Sequence, residues 1–105
     1  RINWDAKLQN IYDFVRGMSP YPAAWTEIHT ADGASVAVKI YEVAREAASH
    51  DKEWGTLLTD GKKYVKVAVD GGYIQLLSIQ IPGKKRMAVD DLLRGFNMQG
   101  AKIVK

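Results

Sequence analysis

Cysteine is absent from the 105 residues. That excludes a disulfide framework, a thiolate metal site and a cysteine nucleophile. No apolar run approaches the roughly 20 residues of a membrane-spanning helix. No apolar core follows a basic start, as it does in a signal peptide. The two histidines, His29 and His50, lie far apart, and neither stands at a metal-ligand spacing with Asp, Glu or the other. Proline is scarce, at 20, 22 and 82 only. There is no internal repeat and no low-complexity stretch. Initiator methionine is missing too: the chain begins at Arg1, as expected of a piece of a longer protein.

What is present is an ordinary globular composition. Apolar residues make up 47% and charged residues 26%, enough for one small domain over 1–105 with a buried core and a soluble surface. The formal net charge is +3, but it is unevenly spread. Residues 1–53 hold six Lys/Arg and eight Asp/Glu; residues 54–105 hold nine and four. The basic half carries Lys62, Lys63, Lys66, Lys84, Lys85, Arg86, Arg94, Lys102 and Lys105. Such asymmetry points to one basic face and an anionic partner, with nucleic acid the leading candidate.

The opening predicts a helix. Leu8, Ile11, Tyr12, Val15 and Met18 form an apolar stripe at helical period. Asn3 or Asp5 is the expected N-cap, Gly17 the left-handed C-cap, and Pro20 the stop. Ser19-Pro20-Tyr21-Pro22 reads as an extended strap. From Ala24 the period changes to two. Strands are predicted at Trp25–Thr30, Ser35–Val43, Trp54–Thr59, Tyr64–Val69 and Tyr73–Ile81, with turns at Asp32-Gly33, Asp60-Gly61 and Asp70-Gly71-Gly72. Residues 44–53 read as a loop or a short helical turn. Ile74, Leu76, Leu77, Ile79 and Ile81 predict burial on much of both faces of the fifth strand. Pro82-Gly83 ends it, and Gly83–Met87 is a basic loop. Val89–Gly95 reads as a short helix with Asp90 and Asp91 in its first turn. Residues 101–105 form a last short strand. The fold class expected is mainly β, a closed or nearly closed antiparallel sheet.

No active site is legible. Asp90-Asp91 balances charge at a helix start. Gly71-Gly72 belongs to no G-x-G-x-x-G fingerprint. Ser19, Ser35, Ser49 and Ser78 lack a nucleophile-elbow context. No catalytic, cofactor-binding or metal-binding residue is expected. Two features remain. The basic clusters Lys84-Lys85-Arg86 and Lys62-Lys63 suit phosphate binding that weakens with salt. Among the aromatics, Tyr41 and Tyr64 occupy outward positions, where rings can stack on bases.

The order of these pieces resembles a known family. Ile2-Asn3-Trp4, the helix ending Ile11-Tyr12-Asp13-Phe14-Val15-Arg16-Gly17, and Ser19-Pro20-Tyr21-Pro22-Ala23-Ala24-Trp25 look like the start of the C-terminal domain of methionyl-tRNA formyltransferases. Gly55-Thr56-Leu57-Leu58, Ile74–Gln80, Pro82-Gly83-Lys84-Lys85-Arg86-Met87 and Asp91-Leu92-Leu93-Arg94-Gly95 follow in the same order. The C-terminal domains of formyltetrahydrofolate dehydrogenase and of sugar-nucleotide formyltransferases share the helix and the tryptophan. The pairing of Pro20-Tyr21-Pro22 with Gly83-Lys84-Lys85 favours the tRNA enzyme. Two departures stand out: Ala88, where the family usually has a capping serine or threonine, and the Asn97–Lys105 tail.

The resemblance implies an open Greek-key β-barrel like an OB-fold, with five or six antiparallel strands, an N-terminal helix and a short C-terminal helix. It implies a cytoplasmic, monomeric, non-catalytic domain that binds initiator methionyl-tRNA largely without base specificity. Lys84, Lys85, Arg86, Lys62 and Lys63 are the residues expected to touch it. It further implies a separate N-terminal Rossmann-like catalytic domain, absent from this chain, that uses 10-formyltetrahydrofolate as formyl donor. Other readings are the same domain in a sugar-nucleotide or folate formyl-transfer or hydrolase enzyme, or a free-standing OB-like module that binds single strands.

Overall fold

A computed structural model describes all residues, 1–105. Helix α1 (Leu8–Met18) is followed by β1 (Ala24–His29), β2 (Ser35–Ala47), β3 (Leu57–Thr59), β4 (Val65–Val69), β5 (Gly72–Gln80), β6 (Met87–Ala88), α2 (Val89–Leu93) and β7 (Lys102–Val104). The strands make one sheet in the order β3-β4-β5-β2-β1-β7, with β6 attached to β5. Every ladder between them is antiparallel. The β3-β4-β5 meander returns β5 to the side of β2, which is Greek-key order. The sheet curls into a nearly closed barrel.

Its two edges, β3 and β7, face one another across a gap of about 550 Å³. Two side chains clasp that gap from its ends. Gln99 donates its amide to the Asp60 carbonyl at 3.3 Å, and the Lys105 ammonium donates to the Trp54 carbonyl at 3.0 Å. The tail that departs from the family pattern thus supplies β7 and both clasps.

The core follows the alternation read from the sequence. Val38 and Ile40 of β2, Val65, Val67 and Val69 of β4, and Ile74, Leu76 and Ile79 of β5 are buried, and α1 adds Ile11 and Val15. Trp4 is buried beneath the first strand, where its indole N–H donates to Thr26 Oγ1 at 2.9 Å. This gives a partner to the one polar residue buried in the core, so no buried side-chain donor or acceptor is left alone.

Several boundaries differ from expectation. α1 starts after Lys7, which supplies no side-chain cap; instead the Leu8 amide donates to the Asp70 carbonyl at 2.8 Å, and the Asn3 side chain accepts from the Asp5 amide rather than from the helix. Gly17 lies inside the helix, and Ser19 is the C-cap. The strap is a run of turns, with cis peptides before Pro20 and Pro22 and Ala23 at φ 73°. β2 runs on to Ala47, because Ala44, Arg45, Glu46 and Ala47 find partners on β5. β3 shrinks to Leu57–Thr59, and α2 stops at Leu93. Ala88 does stand at the N-cap of α2 without a side-chain bond.

Leu77 is 43% exposed rather than buried. The register explains it. Ile40 pairs with Ile79, Glu42 with Ser78 and Val43 with Leu76, so Tyr41 and Leu77 are each left over. These are two β-bulges on adjacent strands, and they offset one another. The inward residues of β5 therefore change parity, from 74 and 76 to 79.

Candidate nucleic-acid interface

The turn between β3 and β4 is built on Asp60. Its carboxylate accepts the amides of Lys62, Lys63 and Tyr64 at 2.9, 2.8 and 3.2 Å. Asp and Asn fold back on their own backbone in this way. The bonds from Lys63 and Lys62 hold the Asp60 carboxyl below its ordinary pKa. The backbone is thereby held while the Lys62 and Lys63 side chains stand exposed.

The second basic loop leaves β5 at Ile81. Gly83 takes φ 81°, and the Lys84 amide donates back to the Ile81 carbonyl at 3.2 Å. Gln80 donates its side-chain amide to the Lys84 carbonyl at 2.8 Å, and Tyr41 donates its hydroxyl to Gln80 at 2.8 Å. Lys84 and Lys85 are exposed and stand apart from the ion pairs of the molecule. Arg86 differs. It pairs with Glu42 at 3.0 Å, donates to Ser78 Oγ at 2.8 Å and lies 4.5 Å from the centre of the Tyr41 ring. Its charge is largely taken up by the barrel wall.

The register places the two loops along one edge of β5. β4 pairs with β5 from Val69–Gly72 to Lys66–Gln75, and then turns away at residues 60–64. β6 takes up the same edge further on, pairing Ala88 with Ser78 and Met87 with Ile79. Lys62 and Lys63 thus precede, and Lys84–Arg86 follow, one stretch of the outer wall.

That wall carries aromatic and cationic side chains together. Lys66 pairs with Glu46 at 3.3 Å and lies 4.2 Å from the Tyr73 ring centre and 5.6 Å from that of Tyr64. Gln75 donates to Glu46 at 2.8 Å. This bond first, and Lys66 second, keep the Glu46 carboxyl below its usual pKa. Tyr64 is exposed as expected, whereas Tyr41 is half-buried under Arg86. Lys66 escaped the sequence-based selection of contact residues. Its i, i+2 spacing from Tyr64, on the face opposite Val65 and Val67, was the available signal.

Beyond Lys84 the same end of the barrel holds a depression of about 490 Å³ lined by Pro22, Ala23, Trp25, Lys39, Ile81 and Pro82 among others. Tyr21, between its two prolines, is 89% exposed.

Neither histidine joins a reactive cluster. His50 Nε2 lies 2.9 and 3.0 Å from the Val69 and Gly72 carbonyls, and its Nδ1 lies 3.1 Å from the Lys52 amide. Carbonyls only accept and an amide N–H only donates, so the proton sits on Nε2. His50 is a clamp on the β4–β5 turn, its ring tilted against that of Tyr73 with centres 4.8 Å apart. His29 faces Glu27 at 3.9 Å on the surface. No three His, Asp or Glu side chains converge as a cation site.

Comparison with known proteins adds a family. The model described as formyl transferase, C-terminal domain, matches residues 1–97. A methionyl-tRNA formyltransferase of Bacteroides thetaiotaomicron is 50% identical over 98 residues, 93% of this chain and 30% of that protein. One from Phocaeicola vulgatus is 52% identical over 96 residues, 91% and 30% of the two chains. One from Flavobacterium johnsoniae is 44% identical over 95 residues, 90% and 30%. The chain thus spans about 30% of the length of the curated relatives it matches.

Proposed function

The chain belongs to the formyl transferase C-terminal domain family, and from that membership we propose that it is the tRNA-binding domain of a cytoplasmic methionyl-tRNA formyltransferase. Relatives about half identical to it over nine-tenths of its length carry that enzyme's name. The observation that carries the binding role is the state of four lysines. Lys62, Lys63, Lys84 and Lys85 are exposed, take part in none of the ion pairs, and sit on loops whose backbones are pinned.

Held loops with free ammonium groups suit phosphate oxygens. Such contacts position a nucleic acid without reading its bases. In this reading the domain orients initiator methionyl-tRNA toward the catalytic part of the parent. 10-Formyltetrahydrofolate and the reacting groups belong to that part, and this chain performs no step on the formyl group.

Salt titration tests the proposal. Each phosphate neutralised contributes roughly −0.9 to the slope of log K against log salt for duplex DNA, so four contacts give about −3.6. Lys84→Ala with Lys85→Ala should weaken tRNA binding and lower the slope by about two units. Arg86→Ala should change the slope least, because Glu42 already holds that guanidinium. Unchanged affinity and slope in the double variant would refute the assignment.

A further inference from the structure

We infer that the outer wall between the two basic loops, centred on Leu77 and Tyr64, is a platform for unpaired nucleotides of the bound RNA. The inference rests on the tRNA-binding reading and goes beyond it, because it concerns the faces of bases rather than phosphates.

Leu77 is the starting point. It is 43% exposed in the middle of an outer sheet face whose other members are polar or aromatic. It is the extra residue of a bulge, so its backbone position is an inserted feature of β5 rather than part of a continuous ladder. Tyr64 is 39% exposed. Lys66 pairs with Gln75, and two residues further along each strand stand Tyr64 and Leu77. An aromatic ring and an aliphatic side chain thus flank the end of the β4–β5 ladder, one on each strand's side, both open to solvent.

Charge sets the chemistry of the occupant. The carboxylates on this wall, Glu42 and Glu46, are paired with Arg86 and Lys66. The unpaired cations at its borders, Lys62 and Lys63 on one side and Lys84 and Lys85 on the other, outnumber the Asp60 carboxylate, which is turned onto the amides of its own loop. An apolar strip bordered by unpaired cations fits a flexible anionic strand with flat apolar faces, which is unpaired RNA. A duplex keeps its base faces stacked and has nothing to offer Leu77 or Tyr64. Stacking on an aromatic side chain contributes about 1–3 kcal/mol per base, and it tolerates any sequence because every base has a π-face.

The test uses two probes on this chain, a short oligoadenylate and a blunt RNA hairpin. Leu77→Ser and Tyr64→Ser should each weaken oligoadenylate binding about tenfold, with the salt slope and the hairpin affinity unchanged. Lys84→Ala with Lys85→Ala should weaken both probes and lower both slopes. Thermal melting checks that the two serine variants stay folded, as expected for exposed side chains. Oligoadenylate affinity unaffected by either serine variant overturns the platform. So does an equal loss for the hairpin, which would mean a damaged fold or a phosphate contact. Wild-type protein that binds the hairpin and not the oligoadenylate also overturns it while leaving the tRNA reading standing. Protein that binds neither overturns both.

Discussion

Replacing Thr26 by valine removes one hydroxyl from the core and leaves its shape almost unchanged. The hydroxyl accepts the Trp4 indole N–H at 2.9 Å, and both residues are buried, Trp4 at 2% and Thr26 at 1% exposure. Without it the indole donor has no water to turn to. An unsatisfied buried donor costs about 1–3 kcal/mol. Unfolding entropy of roughly 2.1 cal/mol/K per residue makes each kcal/mol worth about 4–5 °C in a domain of this size. Thr26→Val should therefore melt about 5–14 °C lower. Far-ultraviolet circular dichroism reads the transition.

The control lies in the partner. Trp4→Phe removes the donor and opens space, at a cost of its own. In that background Thr26→Val should cost less than about 1 kcal/mol, because no indole N–H is left stranded. Thr26→Ser keeps the acceptor and should recover most of the loss. A Thr26→Val protein melting within about 2 °C of the parent, or an equal drop with and without Trp4, refutes the reasoning. The bond, together with the Ile2 amide on the Trp25 carbonyl at 2.9 Å, ties residues 1–6 to β1.

Gly72 sits at φ 152°, and a Cβ there would lie 2.0 Å from the Glu46 carbonyl oxygen; Gly72→Ala should cost more than about 4 kcal/mol and yield insoluble or unfolded protein, read by expression and far-ultraviolet dichroism. Asp60, Glu46 and Asp32 all have carboxyl pKa values lowered in the folded state, Asp60 by the Lys63 and Lys62 amides, Glu46 by Gln75 ahead of Lys66, and Asp32 by Thr30. Lowered folded values stabilise the fold above the unfolded range near pH 4 and lose that contribution progressively as pH falls from there through the lower folded values. Melting temperature should fall below about pH 4, and Asp60→Asn should flatten that limb. Formyl transfer by this chain alone, assayed with 10-formyltetrahydrofolate and charged initiator tRNA, should be absent; turnover by pure protein would place chemistry in this domain.

Much of the fold was legible because it rests on local patterns. The α1 stripe at 8, 11, 12, 15 and 18, the Asp-Gly turns and the alternating valines each state a period that burial on one face enforces. Even the bulge left a trace. Inward apolar residues at 74 and 76 followed by 79 and 81 change parity, which a regular strand cannot do. Reading all of them as burial on both faces missed that the change of parity turns Leu77 outward.

The candidate site divides the same way. Composition and loop position were enough to single out Lys62, Lys63, Lys84 and Lys85, since exposed cations in turns need no distant partner. That Arg86 is occupied by Glu42, 44 residues away in sequence, and that Lys66 sits between two tyrosine rings, depend on which strands pair and in what register. So does the extension of β2 to Ala47, whose residues become strand only because β5 offers them partners. Local propensity and periodicity belong to neighbouring residues and can be read along the chain. Pairing between distant segments is chosen by closure of the whole barrel, and only the folded molecule decides it.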